Sequence, residues 1–144
     1  MNISALLPDA SSPLSTLSWL TGLRRVADNT AVSVRRLGRF HRALGPGWHW
    51  TLPAVEQVGA PVALTGHRLH IGAADARAEL YYQILDPAQV GPDLDVVDDF
   101  VAAEAAAALA NLPAHRRTDE LLKEAVNLRL AGHGVRAIRC RLTA

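Results

Sequence analysis

From Ala31 onward, apolar and polar positions begin to alternate. Val32 and Val34 alternate with Ser33 and Arg35, and a period of two marks a half-buried strand. The strand leads into Leu37-Gly38-Arg39-Phe40-His41-Arg42-Ala43-Leu44 and then Gly45-Pro46-Gly47. Pro presets the first central position of a turn and Gly supplies the positive φ needed next, so a tight reversal is predicted at Pro46-Gly47. Beyond it Trp48, Trp50 and Leu52 fall on one side of an extended segment, with His49 and Thr51 on the other, until Pro53 interrupts it. Two readings fit this segment. It is a strand turning its indoles to the core, or a surface loop presenting them to a lipid interface, where an apolar body with a polar tip is stable. Val62 to Ile71 and Ala78 to Leu85 read as two more strands, joined by a hairpin over Gly72 to Arg77, with Leu80, Tyr82 and Ile84 on one face. Asp86-Pro87 ends the run, because Pro disfavours the helical region for the residue before it and cannot donate to a ladder. An acidic loop with Asp93, Asp95, Asp98 and Asp99 is expected beyond.

The last third switches to helical spacing. Val97, Val101, Ala105, Ala108 and Leu112 form an apolar stripe, and Ala permits close approach to a sheet. Pro113 ends this helix. Thr118 caps a second one whose first turn carries Asp119 and Glu120, favourable against the helix dipole. Its inner face is predicted as Leu121, Leu122, Ala125 and Leu128, with Gly132-His133-Gly134 as the stop. Val135 to Leu142 closes the chain as a strand in which Ile138, Cys140 and Leu142 alternate with Arg139 and Arg141. Strands, two helices and a final strand predict an α+β domain, a small mixed sheet with the helices packed on one side.

Before this domain, residues 1 to 12 lack periodicity. Ser12-Pro13 then offers a cap and a first helical residue. Over 13 to 27, Leu17, Trp19, Leu20, Leu23 and Val26 share a side opposite Ser15, Ser18, Thr21 and Arg25. A short amphipathic helix is predicted, either an anchor at a membrane surface or a helix docked on its own domain. The expected division is a leader over 1–30 and a domain over 31–144.

Composition narrows the function. The 144 residues are 49% hydrophobic and 20% charged, which suits one domain with a core. The single cysteine, Cys140, excludes an internal disulfide or a multi-cysteine zinc site and points to a reducing compartment. A net charge of +1 is far from the basic footprint of a nucleic-acid binder, so no nucleic-acid partner is expected. The charge is uneven, however. Residues 1–70 carry seven Lys/Arg against three acids, and residues 75–104 one Arg against eight acids. The first end suits anionic lipid and the middle does not. No stretch reaches the roughly 18 to 20 apolar residues of a spanning helix.

Chemistry finds little purchase. The six histidines, at 41, 49, 67, 70, 115 and 133, include no His-Glu-x-x-His helix and no cysteine at ligand spacing. His67 and His70 fall on opposite faces of a strand. Cys140 reads as a buried structural thiol, and Asp98 and Asp99 as acids serving a helix N-terminus. No Gly-x-Ser-x-Gly elbow or P-loop is present. No catalytic, metal or cofactor residue is predicted. Arg35, Arg36, Arg39 and Arg42 lie near Trp48 and Trp50 across the predicted turn, which suits either a headgroup-binding patch or solvated strand-edge arginines.

The segment Val34 to Pro53, with Leu-Gly-Arg-Phe, then Gly-Pro-Gly, then Trp-His-Trp-Thr-Leu-Pro, resembles the opening of the SPFH or band 7 domain of the stomatin, prohibitin and flotillin superfamily. Leu80-Tyr81-Tyr82-Gln83-Ile84-Leu85-Asp86-Pro87 is similar to that family's Tyr-rich strand, and Gly134 to Arg139 to its closing segment. The likeness covers roughly residues 30 to 142. It implies a non-catalytic module that sits peripherally on the cytoplasmic face of a membrane and assembles with itself or with partner proteins. The connection over Gly72 to Arg77 is shorter than the family's usual hairpin. The family's membrane-inserted segment and its trailing coiled coil are not seen in this sequence, so large cages are not expected. On this reading Trp19, Arg24, Arg25, Arg39, Arg42, Trp48 and Trp50 are the membrane-surface residues. The competing expectation is a soluble module that binds a membrane protease or a full-length relative through a sheet edge or the helix at 119–131.

Overall fold

A computed structural model describes residues 22–143, and within them the chain is α+β. The strands are β1 (Leu23–Val26), β2 (Thr30–Arg36), β3 (Arg39–Leu44), β4 (Gly47–Trp50), β5 (Glu56–Val58), β6 (Val62–Ala63), β7 (His67–Ala73), β8 (Ala76–Ile84) and β9 (Val135–Thr143). Between β8 and β9 come α1 (Pro87–Val90), a 3-10 stretch (Gly91–Val96), α2 (Val97–Asn111) and α3 (Asp119–Leu130). The expected small sheet with two helices packed on it and a closing strand is present, and the strands as a whole divide into three sheets. β1 pairs with β4; β2 pairs with β3, β5 and β6; β7, β8 and β9 lie in that order. All of these pairings are antiparallel. Parallel pairing needs a long crossover, and most of these strands are joined by only a few residues.

The reversal predicted at Pro46-Gly47 does not join two paired strands. The hairpin lies one strand earlier, where Arg36 faces Arg39 and Leu37-Gly38 make the turn. Their φ values of 51 and 80 are both left-handed, which matches the twist of a two-residue hairpin. β3 is therefore already paired to β2 when the chain reaches Pro46, which has no N–H to donate to a ladder. The chain leaves that sheet, and β4 runs back along β1. The helix expected over 13–27 likewise fails at its described end: Leu23–Val26 is a strand, so the domain begins before residue 31. Its earlier part lies outside the described residues.

Three other expectations change. Val62 to Ile71 is two strands, broken at Leu64–Gly66 where Gly66 takes φ 84. This break hands the chain from the β2 sheet to the β8 sheet. The acidic loop is helical: Asp86 caps α1, its carboxylate accepting from the Ala88 N–H at 3.0 Å, with Pro87 at the first helical position. On α3 the buried residues are Leu122, Val126 and Leu130, while Leu121 and Leu128 face outward. Both stripes have helical spacing, and only the sheet behind chooses between them.

The main core lies between the β7–β8–β9 sheet and α2 with α3. Leu80, Tyr82 and Ile84 meet Val101, Ala105, Leu109, Leu122 and Val126 there. The α2 stripe matches its predicted residues, with Leu112 packed at the edge. In β9 a bulge opposite Tyr81/Tyr82 shifts the alternation by one residue. Val135, Ala137 and Cys140 turn inward and Ile138 outward, at 48% exposure. The outer edge of β9 is covered by side chains of α3. The Ala137 N–H donates to Asn127 at 2.8 Å, the Asn127 amide donates to the Ala137 carbonyl at 3.2 Å, and the Leu142 N–H donates to Asp119 at 2.8 Å. A second, smaller cluster of Val26, Val32, Val34 and Leu44 lies under the β1–β4 ribbon.

Candidate functional site

The β1–β4 ribbon decides where the indoles go. In its register Leu23 faces Trp50, Arg24 faces His49, Arg25 faces Trp48 and Val26 faces Gly47. Directly opposed residues of an antiparallel pair share a face. Val26 is buried in the small cluster, so Arg24, Val26 and His49 take the inner face and Leu23, Arg25, Trp48 and Trp50 the outer one. Trp48 is 63% and Trp50 66% exposed. The segment is thus a strand whose indole face is the solvent face, which neither sequence reading combined. The ribbon is closed at Gly22, whose carbonyl accepts from the Thr51 N–H at 2.7 Å and its hydroxyl at 3.0 Å. Gly22 has φ 73, and a Cβ there would run into the Thr51 carbonyl. The His49 ring meets the Gly45 carbonyl at 2.8 Å and so holds the approach to β4.

More apolar surface adjoins this ribbon. Leu37, at the β2–β3 hairpin tip, is 81% exposed, and its N–H donates to the Val55 carbonyl at 3.2 Å. Val55 and Leu52 are themselves exposed. Under this rim is a carboxylate that the sequence did not single out. The Glu56 side chain is 2% exposed and lies 2.7 Å from Arg36, 3.4 Å from Arg42 and 3.8 Å from His41. It also accepts the Leu52 N–H at 3.0 Å. That N–H first, and then Arg36, hold its carboxyl below the usual range against the opposing pull of burial, with the charge of Arg42 assisting.

The predicted surface arginines therefore separate. Arg42 reaches Glu56 and the Trp50 carbonyl while its side chain stays 40% exposed; a buried carboxylate is costly without paired charge. Arg36 has the same partner, and Arg35 pairs with Asp95 at 3.4 Å. Arg25 shares the indole face, Arg24 is exposed on the other side of the ribbon, and Arg39 is exposed at the hairpin. Trp19 lies outside the described residues.

A second polar cluster was also missed. Tyr82 donates to Asp98, and His67, stacked on the Tyr82 ring at 4.5 Å, meets the same carboxylate at 3.1 Å. Burial and then Asp98 push the Tyr82 hydroxyl pKa well up. The other His67 nitrogen faces the Ala63 carbonyl. The group therefore ties the β6–β7 corner to the first turn of α2. The alternation of β8 put Tyr82 on the face of Leu80 and Ile84, but nothing in the sequence brought His67 or Asp98 to it. Cys140 is buried, and its thiol is pushed up to about 11 by that burial. Among the described residues no group of three or more His, Cys, Asp or Glu is placed to hold a metal. No helix there is long and apolar enough to cross a membrane.

Fold and surface together define an α+β domain that displays an indole-bearing ribbon. No protein-family model matches the chain, and a search of curated proteins finds no match.

Proposed function

We propose that this chain is a non-catalytic scaffold or assembly module of the SPFH or band 7 type, held peripherally at the cytoplasmic face of a membrane, where it organises or regulates membrane proteins. The observation that carries the reading is the outward pair Trp48 and Trp50 on a strand, beside Arg25 and near the exposed apolar residues Leu37, Leu52 and Val55. Contiguous exposed apolar surface marks interaction sites. Indoles beside a cation suit the boundary between headgroups and acyl chains. Each basic residue near an anionic surface adds about 1 kcal/mol, so Arg25 and Arg39 give reversible attraction and the indoles give depth. The residue resemblance at 34–53, 80–87 and 134–139 supports the family. Flotation with anionic vesicles tests the reading. The chain is expected to float at low salt and to lose most of that binding on Arg25→Glu with Arg39→Glu. Absence from the floated fraction would refute it.

One observation favours a second reading, a module that binds a membrane protease or a full-length relative in solution. The outer face of α3 exposes Leu128 and part of Leu121, two apolar side chains one heptad apart, the spacing of anchors in a helix-mediated contact. The β9 edge is less suited, since Asn127 and Asp119 already occupy its backbone groups. A complex that survives detergent while the chain fails to float would select this reading.

A further inference from the structure

The outer face of the β7–β8–β9 sheet is basic although the chain as a whole is near neutral. Its three strands turn Arg68 and His70, Arg77, Glu79 and Tyr81, and Arg136, Arg139 and Arg141 away from the helices, as the register and burial pattern require. In successive rows across the sheet, Arg68 faces Tyr81 and Tyr81 faces Arg139; His70 faces Glu79 and Glu79 faces Arg141; Gly72 faces Arg77 and Arg77 faces Thr143. Among the described residues the one carboxylate on this face, Glu79, is buried and paired with Arg68. Among the described residues Arg77, Arg136, Arg139 and Arg141 make no ion pair. Four arginines with no ion-pair partner among the described residues make this face a cationic surface, complementary to an acidic partner.

We infer that this face docks an extended acidic polypeptide segment with carboxylates at alternate positions. Alternate residues of an extended chain lie about 7 Å apart on one side. Arg139 and Arg141, two apart on β9, present guanidinium groups at the same repeat. Guanidinium forks pair with carboxylates bidentately, and Arg77 extends the row onto the middle strand. Gly72, without a side chain, leaves a shallow depression between His70, Arg77 and Thr143. Single-stranded nucleic acid fits less well. Binding of that kind depends on free aromatic faces, and the one aromatic residue here, Tyr81, has the Arg68 guanidinium over its ring at 5.8 Å. A bilayer fits less well too, since Ile138 at the bulge is the one large exposed apolar residue among those turned outward. This docking face is separate from the indole ribbon and does not rest on the membrane reading.

The test is fluorescence anisotropy at low salt with a labelled alternating Glu-Thr peptide and the full chain. Binding is expected, with a loss of about tenfold in Arg136→Gln/Arg139→Gln/Arg141→Gln. A smaller loss is expected in Arg77→Gln, and none in Arg116→Gln, an exposed arginine between the helices. Circular dichroism checks that each variant folds, and Arg139→Gln or Arg141→Gln alone serves if the triple variant does not. The inference is overturned if the peptide does not bind, if the folded arginine variants bind it as the parent does, if an oligothymidylate binds more tightly, or if phosphatidylserine vesicles displace the peptide.

Discussion

Glu56 shows what a single residue decides in this molecule. Its carboxylate is enclosed by Arg36, Arg42, His41 and the Leu52 N–H, so the arginines around it serve the fold before they can serve a ligand. Replacing one member of such a group leaves the others short of a partner, which costs about 1–3 kcal/mol. Glu56→Gln is therefore expected to lower stability by that amount at neutral pH in a denaturant titration. Because the folded-state pKa is depressed below its ordinary 4.5, the stabilisation is present above that value and is lost as pH falls through the folded pKa. The gap between parent and variant should close in acid below pH 4.5; a constant gap would deny the carboxylate this role. None of this was legible in the sequence. Glu56 sits in a short segment without periodicity, and its partners come from β2 and β3. The pairing of Arg42 with it was illegible for the same reason, since nothing local in β3 announces a buried acid beneath it.

At the level of elements, the β2–β3 hairpin breaks two local rules at once. Leu37 takes φ 51, which costs an ordinary L-residue roughly 1–2 kcal/mol, and it does so while 81% exposed. Neither feature adds to stability, which fits a place for Leu37 on the proposed binding surface. Leu37→Asn is expected to stabilise the chain by about 0.5–1 kcal/mol in thermal melts while weakening vesicle binding. A melting temperature that falls, or binding that is unchanged, would separate Leu37 from the proposed surface. The edge of β9 depends on a different device, the Asn127 amide satisfying both backbone groups of Ala137. Asn127→Leu should cost about 1–3 kcal/mol, read as a lower denaturation midpoint; a neutral outcome would mean that water replaces the amide. Sequence periodicity carried α2, the Thr118 cap, the stop at Gly132 and the β7–β8 hairpin, because each is written in neighbouring residues. It failed where the choice is made at a distance. The inner face of α3 is chosen by the sheet behind it, and the one-residue shift in β9 by its pairing with β8. Likewise, Pro46-Gly47 separates two sheets because β3 has already found its partner.

Across the whole molecule, the near-zero net charge conceals a division of surfaces. An apolar rim with Trp48, Trp50 and Leu37 belongs to the β1–β4 ribbon and the hairpin beside it. Arginines with no ion-pair partner among the described residues occupy the outer sheet face, and the helices cover the inner one. The α+β class was legible from the order of strands and helices. The split into three antiparallel sheets was not, because it depends on which strands meet. The sidedness of the indoles followed from a parity that only Val26 fixes: its burial sends Trp48 and Trp50 outward. The central claim is that this outward pair meets a membrane, and flotation of the full chain beside Trp48→Ser/Trp50→Ser on phosphatidylserine-containing vesicles tests it most directly. The account predicts that the parent floats and that the double variant, with unchanged circular dichroism, stays at the bottom of the gradient. Equal flotation of the two proteins, or none by the parent, would contradict it.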